Sequence, residues 1–547
     1  MISAPSRRTL LAGALAGLSA PAAVPAAASP ARAAVAPRPN FLIILADDLG
    51  WGEIGIQGQK KIATPAIDRL AAEGVRFATA YAGAPLCAPS RCSLLTGLHA
   101  GHSTVRENPE GGPQLALIED DLTFAELLQL SGYRTACIGK WGFGPERPGQ
   151  PSHPNERGFD EFFGYITHRH AHQYYPRYLW HNAGKVALTG RAYAPGLFLR
   201  RAVDFIREPS DRPFLLYFPT ILPHSPSVVP GDAGPYEDKP WTRPNRRHAA
   251  QVSLLDAHVE RLVTTLRETG KAANTIVLFM SDNGPHREKG VTPGLFDSNG
   301  PLRADKRDLY EGGIRVPLIA WSPKLRPRVE TRPVAYWDVL PTLADLAGVP
   351  APDGIDGRSF RGMFDGGDGP DHHHLVWNRP RKAQAIRRGR WKAIRFAPGI
   401  AGAGPGGRIE LYDLDTDLGE RKDLSSDRPE LVGELMDLLD QSIGPDPRRP
   451  YGSRMTAAGD RVTVTLVNGS AVTWRRVRLA LALPGGREVP ARQEVAELAP
   501  GEKISATFRV PGHGVVTGSA SFRTGSGRHT FRRAHDHLGV RPGPVRT

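Results

Sequence analysis

With 547 residues, 40% hydrophobic and 23% charged, and a mean hydropathy of −0.33, the chain is neither a disordered polymer nor a many-pass membrane protein. Its three cysteines, Cys87, Cys92 and Cys137, exclude a disulfide scaffold. The formal net charge is +14, and residues 455–547 supply most of the excess with 14 Lys and Arg against 6 Asp and Glu.

Residues 1–33 read as a leader that is removed. Ser6, Arg7, Arg8, Thr9, Leu10 and Leu11 precede a weakly apolar stretch, and Ala31-Arg32-Ala33 offers a small-x-small cleavage site. The pattern resembles a twin-arginine signal, which predicts an exported protein, periplasmic, on the cell surface or extracellular. Pro21 and Pro25 keep the apolar run shorter than the roughly 20 residues a bilayer span needs, so no transmembrane anchor is expected.

From about residue 38 to 450 strand and helix signals alternate. Phe41–Leu45 is a short continuous apolar run, as a strand buried on both faces requires. Thr64 as N-cap, Pro65 at the first helical position and Gly74 as C-cap bound a helix. Thr123 and Glu126 form a capping box ahead of a helix that leads into the strand Thr135–Ile138. Residues 248–269 carry helical apolar spacing, and Thr275–Met280 is a further buried strand. The alternation predicts an α/β fold with a mostly parallel sheet flanked by helices.

Polar residues stand just past these strands: Asp47 and Asp48, Lys140, His224 after the strand Phe214–Phe218, and Asp282 with Asn283. In open α/β sheets ligands bind at the carboxyl ends of strands, so one edge collects all of these groups. Adjacent carboxylates repel unless a cation lies between them, and Asp47, Asp48, Asp282 and Asn283 offer only oxygen, which suits Ca²⁺ or Mg²⁺ better than zinc. The competing reading is that Asp48 and Asp282 merely cap helices or turns. Lys140 and His224 beside the acids fit an anionic substrate.

The string Cys87-Ala-Pro-Ser-Arg91-Cys-Ser-Leu-Leu-Thr-Gly97 puts Cys87 just before a helix, at its positive end. It resembles the sulfatase signature, in which the cysteine becomes Cα-formylglycine. Flanking strings agree in order: Ala46–Gly50, Gly139-Lys-Trp141, Pro223–Pro226, Ser281–Pro285, Lys306–Gly313 and a later Glu410–Leu414. The resemblance covers about residues 38–440 and implies an alkaline-phosphatase-like core with a small C-terminal α+β subdomain at about 370–445.

It also implies roles. Asp47, Asp48, Asp282 and Asn283, with the modified Cys87, would bind one divalent cation, usually Ca²⁺. Hydrated formylglycine 87 would attack sulfur with one hydroxyl and expel sulfate with the other. Arg91 would steady that diol, while Lys140, His224 and Lys306 would hold sulfate oxygens, with His224 or Lys306 as proton donor. The expected substrate is a sulfate ester, aryl or carbohydrate, with a polyanionic glycan as one form. A formylglycine-generating enzyme would act during maturation, and no nucleic-acid partner is expected.

One position departs from the pattern. The family often has histidine where this chain has Gly142, and that histidine is its usual base for sulfate release. His168, His170 and His172 follow and are candidates for the role, with a surface loop as the competing reading. His372, His373 and His374 read as a solvated loop, and Cys92 and Cys137 as small buried residues. Beyond Pro445, Pro447 and Pro450, alternating runs such as Arg461–Val467 and Val477–Leu483 predict a small β-sandwich at 455–547, like an immunoglobulin-like accessory domain. The catalytic region is then 34–450. Two alternatives stand: a phosphodiester or phosphonate monoester hydrolase of the same superfamily, and an inactive sulfated-glycan binder.

Overall fold

The computed structural model describes residues 38–109, 113–352, 354–398 and 407–443, together with strand segments between 453 and 537. The leader at 1–33 and the linker prolines 445, 447 and 450 lie outside the described residues.

Asn40–Ala46 forms the middle of a ten-stranded sheet, paired in parallel with Thr275–Ser281 on one side and Phe214–Pro219 on the other. Its residues alternate between two apolar layers: Phe41, Ile43 and Leu45 enter one core, and Leu42, Ile44 and Ala46 the other. Two-sided burial is why the run is apolar at every position rather than at every second one. The sheet continues through Arg134–Lys140 and Glu161–Tyr165 in parallel, then through Tyr178–His181 and Gly184–Ala187 in antiparallel pairing. At the other end Leu318–Trp321 runs antiparallel to its neighbours Thr275–Ser281 and Val75–Phe77, and Arg328–Glu330 closes the edge in parallel. The expectation of a mostly parallel sheet therefore holds for the centre and gives way at the edges, where short hairpins and returning strands need no crossover helix.

Helices cover both faces. The predicted capping box is present, with Thr123 Oγ1 accepting from the amide of Glu126 and Glu126 Oε2 from the amide of Thr123, and it opens the helix Phe124–Leu130. The helix Pro65–Glu73 has the expected bounds but a different cap. Thr64 makes no cap bond, and the carboxylate of Asp256, on the long helix Arg243–Glu268, accepts from Ala66 and Ile67 instead. A cap supplied from 190 residues away leaves no local sign. Gly74 ends that helix with φ −119, not in the left-handed region.

A second sheet, Leu375–Arg379, Ala383–Arg388, Trp391–Phe396 and Arg408–Asp413, is fully antiparallel and packs its inner face against the helix Pro429–Ser442 through Ile386, Leu411, Leu435 and Leu439. Among the described residues seven further strands lie in sheets of three and four around Val462, Val464, Trp474, Leu479 and Phe508. One is the expected Arg461–Val467, and another is Trp474–Ala482, which starts earlier than the alternating run. Among the described residues no helix is long and apolar enough to cross a membrane.

Candidate active site

The turn after Asn40–Ala46 aims Asp47 and Asp48 at the sheet edge. The Asp47 amide donates to Leu222 O at 2.9 Å and the Asp282 amide to Ala46 O at 3.1 Å, so three strand ends are tied together. Asp48 adopts φ +67, a left-handed conformation that aspartate tolerates better than bulky residues, and its amide donates to Asp282 Oδ1 at 3.1 Å. The helix Cys87–Thr96 points its N-terminus at the same spot. Cys87 is its first residue, one position further into the helix than expected, and Sγ lies 3.8 Å from Asp48 Oδ1.

Four cationic or imidazole side chains complete the cluster. Arg91 donates from Nε and a terminal nitrogen to Asp282 Oδ2 at 3.0 and 2.8 Å, and its other terminal nitrogen donates to the carbonyl of Lys140 at 2.6 Å. Lys140 Nζ reaches Asp47 Oδ2 at 2.7 Å, and Lys306 Nζ reaches Asp48 Oδ2 at 2.7 Å. His224 Nδ1 faces the carbonyl of Ser225 and must donate to it, which leaves the Nε2 lone pair toward Lys306 Nζ at 3.3 Å. All nine residues singled out from the sequence thus meet in one buried cluster.

The electrostatics are lopsided. Burial opposes charge on every acid, yet the cations Lys140, Arg91 and Lys306 hold Asp47 well below the usual carboxylate range, and Lys306 holds Asp48 down. Asp282 is pushed up to about 7 by burial and by the neighbouring Asp47. Burial also raises the Cys87 thiol, so the unmodified side chain is a poor nucleophile. His224 is kept neutral by burial, and the acids around Lys306 outweigh its desolvation and raise its pKa.

A resident cation is tested by the donors themselves. Asp47 Oδ1 and Asn283 Oδ1 are buried with no hydrogen-bond partner, a cost that a hard divalent ion would remove. Asn283 already turns its Nδ2 to Asp48 Oδ1 at 2.7 Å, which fixes its oxygen in place. Asp47, Asp48, Cys87 and His224 also bring ligand atoms within 4.8 Å of one another. The His224 lone pair is committed to Lys306, so Asp282 and Asn283 are the better completion.

The histidine loop divides. The rings of His168 and His172 stand edge-on to His224, with centroids at 5.8 and 4.7 Å, whereas His170 packs on Tyr165 and Tyr178 near Glu146. His172 Nδ1 faces the carbonyl of His168 at 3.1 Å, so its lone pair is on Nε2. Gly142 has φ +96, a conformation that would strain any residue with a side chain, although a Cβ there would only touch Arg91. His372 and His374 are held by Asp338 and Ser442, not solvated as expected. Sequence reasoning missed Glu288. It accepts from Ser225 Oγ at 2.7 Å, lies 3.7 Å from Lys306 Nζ and is lowered to about 2, its burial outweighed chiefly by Lys306. Its only sign was a position five residues after Asn283.

The sulfatase family profile matches residues 39–349, and a profile for the C-terminal part of N-sulphoglucosamine sulphohydrolase matches 303–443. Steryl-sulfatase of Mus musculus is 31% identical, covering 80% of this chain and 86% of that protein. N-acetylgalactosamine-6-sulfatase of Canis lupus familiaris is 33% identical over 66% of this chain and 72% of that protein. Among solved structures, Ps i-CgsB in complex with k-i-k-neocarrahexaose superposes with a TM-score of 0.66 at 29% identity, covering 75% of this chain and 94% of that one. The large mixed sheet with its flanking helices is the alkaline-phosphatase-like arrangement expected of such enzymes. With the family profile covering more than half of the chain and relatives aligned along most of it, this protein belongs to the sulfatases and is a sulfuric ester hydrolase.

Proposed function

We propose that this chain cleaves aryl or carbohydrate sulfate monoesters with Cys87 matured to Cα-formylglycine, and with one divalent cation, Ca²⁺ or Mg²⁺, on Asp47, Asp48, Asp282 and Asn283. The observation that carries the reading is Cys87 itself, a buried residue at a helix N-terminus among three carboxylates and two ammonium groups, within the string Cys87–Gly97. Hydrated formylglycine supplies a geminal diol, one hydroxyl to attack sulfur and one to expel sulfate. The cation supplies charge for a sulfate oxygen as it becomes more negative.

The chain's own groups do the rest. Arg91, fixed by Asp282 and the Lys140 carbonyl, steadies residue 87. Lys140 and Lys306 turn donors toward the sulfate oxygens, and their fixed positions avoid reorganisation during reaction. Lys306 Nζ gives the proton to the leaving alkoxide, and His224, its ring held by Ser225, accepts a hydrogen bond from that ammonium at Nε2 and orients it. With Gly142 bare, proton acceptance during sulfate release falls to the His168 and His172 pair beside His224.

Residues 1–33 are read as a twin-arginine leader, and the basic seven-stranded region as an immunoglobulin-like accessory domain at 455–547. Peptide mass spectrometry across Cys87 tests the central claim: an aldehyde mass is expected, and Cys87→Ala should fold yet lose turnover of an aryl sulfate. Wild-type turnover in that variant, or faster hydrolysis of an aryl phosphodiester than of the sulfate by the wild type, would overturn the reading.

A further inference from the structure

Between His372 and Ile409 the chain carries nine Lys and Arg and no acid. Five of these cations, Arg379, Arg381, Lys382, Arg395 and Arg408, line a cavity of about 470 Å³ with Phe396 in its wall, on the antiparallel sheet of the C-terminal subdomain. That volume falls in the range of ligand sites, roughly 300–1,000 Å³.

Hydrogen bonds through neighbouring residues link the cavity to the sulfatase centre. Arg379 donates to the carbonyl of Arg307 at 2.7 Å, and Arg307 follows Lys306 in the chain. The Arg307 amide in turn donates to Pro85 O at 2.9 Å, two residues before Cys87. On the other side Arg379 lies 3.4 Å from Glu107, whose neighbour Asn108 accepts the amide of Ala88 at 3.2 Å. Arg379 is thus common to the cavity lining and to two short contact paths that lead to the residues flanking Cys87.

Its charge is only partly matched. Arg379 faces Glu107, Arg395 lies 2.6 Å from Asp440, and Arg408 lies 2.8 Å from Glu410. Arg381 and Lys382 are exposed at the tip of the turn between Leu375–Arg379 and Ala383–Arg388. Neither makes a side-chain hydrogen bond or ion pair among the described residues. Planar guanidinium forks recognise sulfate and carboxylate groups in two-point contacts, and the linked sulfatase centre makes a sulfated carbohydrate the anion to expect rather than a nucleic acid.

We infer that this cavity is an accessory anion subsite. It receives a second sulfate or carboxylate of a polyanionic carbohydrate while one sulfate ester of the same chain occupies the centre at Cys87. The inference rests on the sulfatase reading and narrows it to substrates with at least two anionic groups.

The test uses the full-length protein and the Arg381→Glu/Lys382→Glu double variant, with thermal unfolding to confirm that both are folded. Equilibrium binding is measured for a sulfated dextran oligomer, an unsulfated oligogalacturonate and a single-stranded DNA of matched charge. Turnover of a monosulfated aryl ester is measured in parallel. The wild type should bind one or both sugars, and the variant should bind them on the order of tenfold more weakly, a gap that shrinks as salt rises. Aryl sulfate turnover should agree within about twofold between the two proteins, and the two sugars separate sulfate from carboxylate recognition. Equal sugar affinity in the variant, no saturable sugar binding by the wild type, DNA binding as tight as sugar binding, or aryl turnover falling in step with affinity would each overturn the subsite. Failure of the wild type to hydrolyse the aryl sulfate would instead strike the reaction, and the binding arm would still read out the cavity.

Discussion

Two clusters of charge are buried in this molecule, and they differ in what they leave unmatched. Around Lys392, Nζ lies 3.0 Å from Glu311 Oε1 and 2.8 Å from Glu420 Oε1, Tyr81 donates to Glu311 at 2.8 Å, and Arg315 adds a contact at 3.3 Å. Around Cys87, three acids meet Arg91, Lys140 and Lys306. Each cluster contains one carboxylate driven up to about 7 by burial, Glu420 in the first and Asp282 in the second. Buried charge and shifted acidity are therefore common to both and mark neither as a site. In the Lys392 cluster the one oxygen without a well-angled hydrogen bond, Glu420 Oε1, still faces the ammonium. Near Cys87, Asp47 Oδ1 has only the Arg91 guanidinium, off hydrogen-bond geometry at 3.5 Å, and Asn283 Oδ1 has no hydrogen-bond partner among the described residues. A structural ion cluster closes its account internally; a site keeps oxygens waiting for something from outside.

The largest effect should come from emptying the second cluster. Asp282→Ala removes a proposed cation ligand and the anchor of Arg91, and turnover of an aryl sulfate should fall on the order of a thousandfold, about 4 kcal/mol of barrier. Chelation of the wild type should do the same, with Ca²⁺ or Mg²⁺ restoring the wild type and not the variant. Stoichiometric zinc in metal analysis, or a variant retaining a tenth of the activity, would remove the distinction drawn between the clusters.

Lys392→Met probes the other side. It strands Glu311 and Glu420 without their shared cation and should cost about 3–5 kcal/mol of stability in denaturant titration, with specific activity of the folded fraction unchanged. Adding Glu420→Gln should recover part of the loss. A stable Lys392→Met protein with lowered turnover would mean that the first cluster is also functional.

A smaller effect comes from His258, a buried imidazole with no charged partner among the described residues, which burial alone pushes down to about 4. The unfolded chain takes up that proton near pH 6.5 while the folded chain resists, so the associated stability is complete above pH 6.5 and drains away as pH falls toward 4. By pH 5 the loss is about 2 kcal/mol. Melting curves of the wild type and His258→Gln from pH 7.5 to 5 should converge as pH falls; a constant gap would show that the imidazole titrates normally in the fold.

The strands beneath the site were legible because two-sided burial writes itself locally. Phe41–Leu45 and Thr275–Met280 are apolar at every position, and the acids follow directly. The cysteine string was legible because its spacing is contiguous. What escaped depends on distant partners. Asp256 caps a helix 190 residues away, Glu288 becomes relevant only when Ser225 and Lys306 are brought to it, and one histidine of three turns from the site because Glu146 lies nearby. The antiparallel edges were missed because a strand of three or four residues carries too little pattern to reveal its direction.

Cys87 has no exposed surface, and what closes over it arrives late in synthesis. Asp282 is made 195 residues after Cys87, and Lys306 is made 219 residues after it. At ribosomal speeds of about 5–20 residues per second, that delay is roughly 10–45 s. Under the proposed maturation, an enzyme that oxidises this thiol would work against a clock set by translation, before Asp282 and Lys306 close on it. The proposed twin-arginine leader, which carries folded chains, would then require that oxidation before export, because the folded chain buries Cys87 completely.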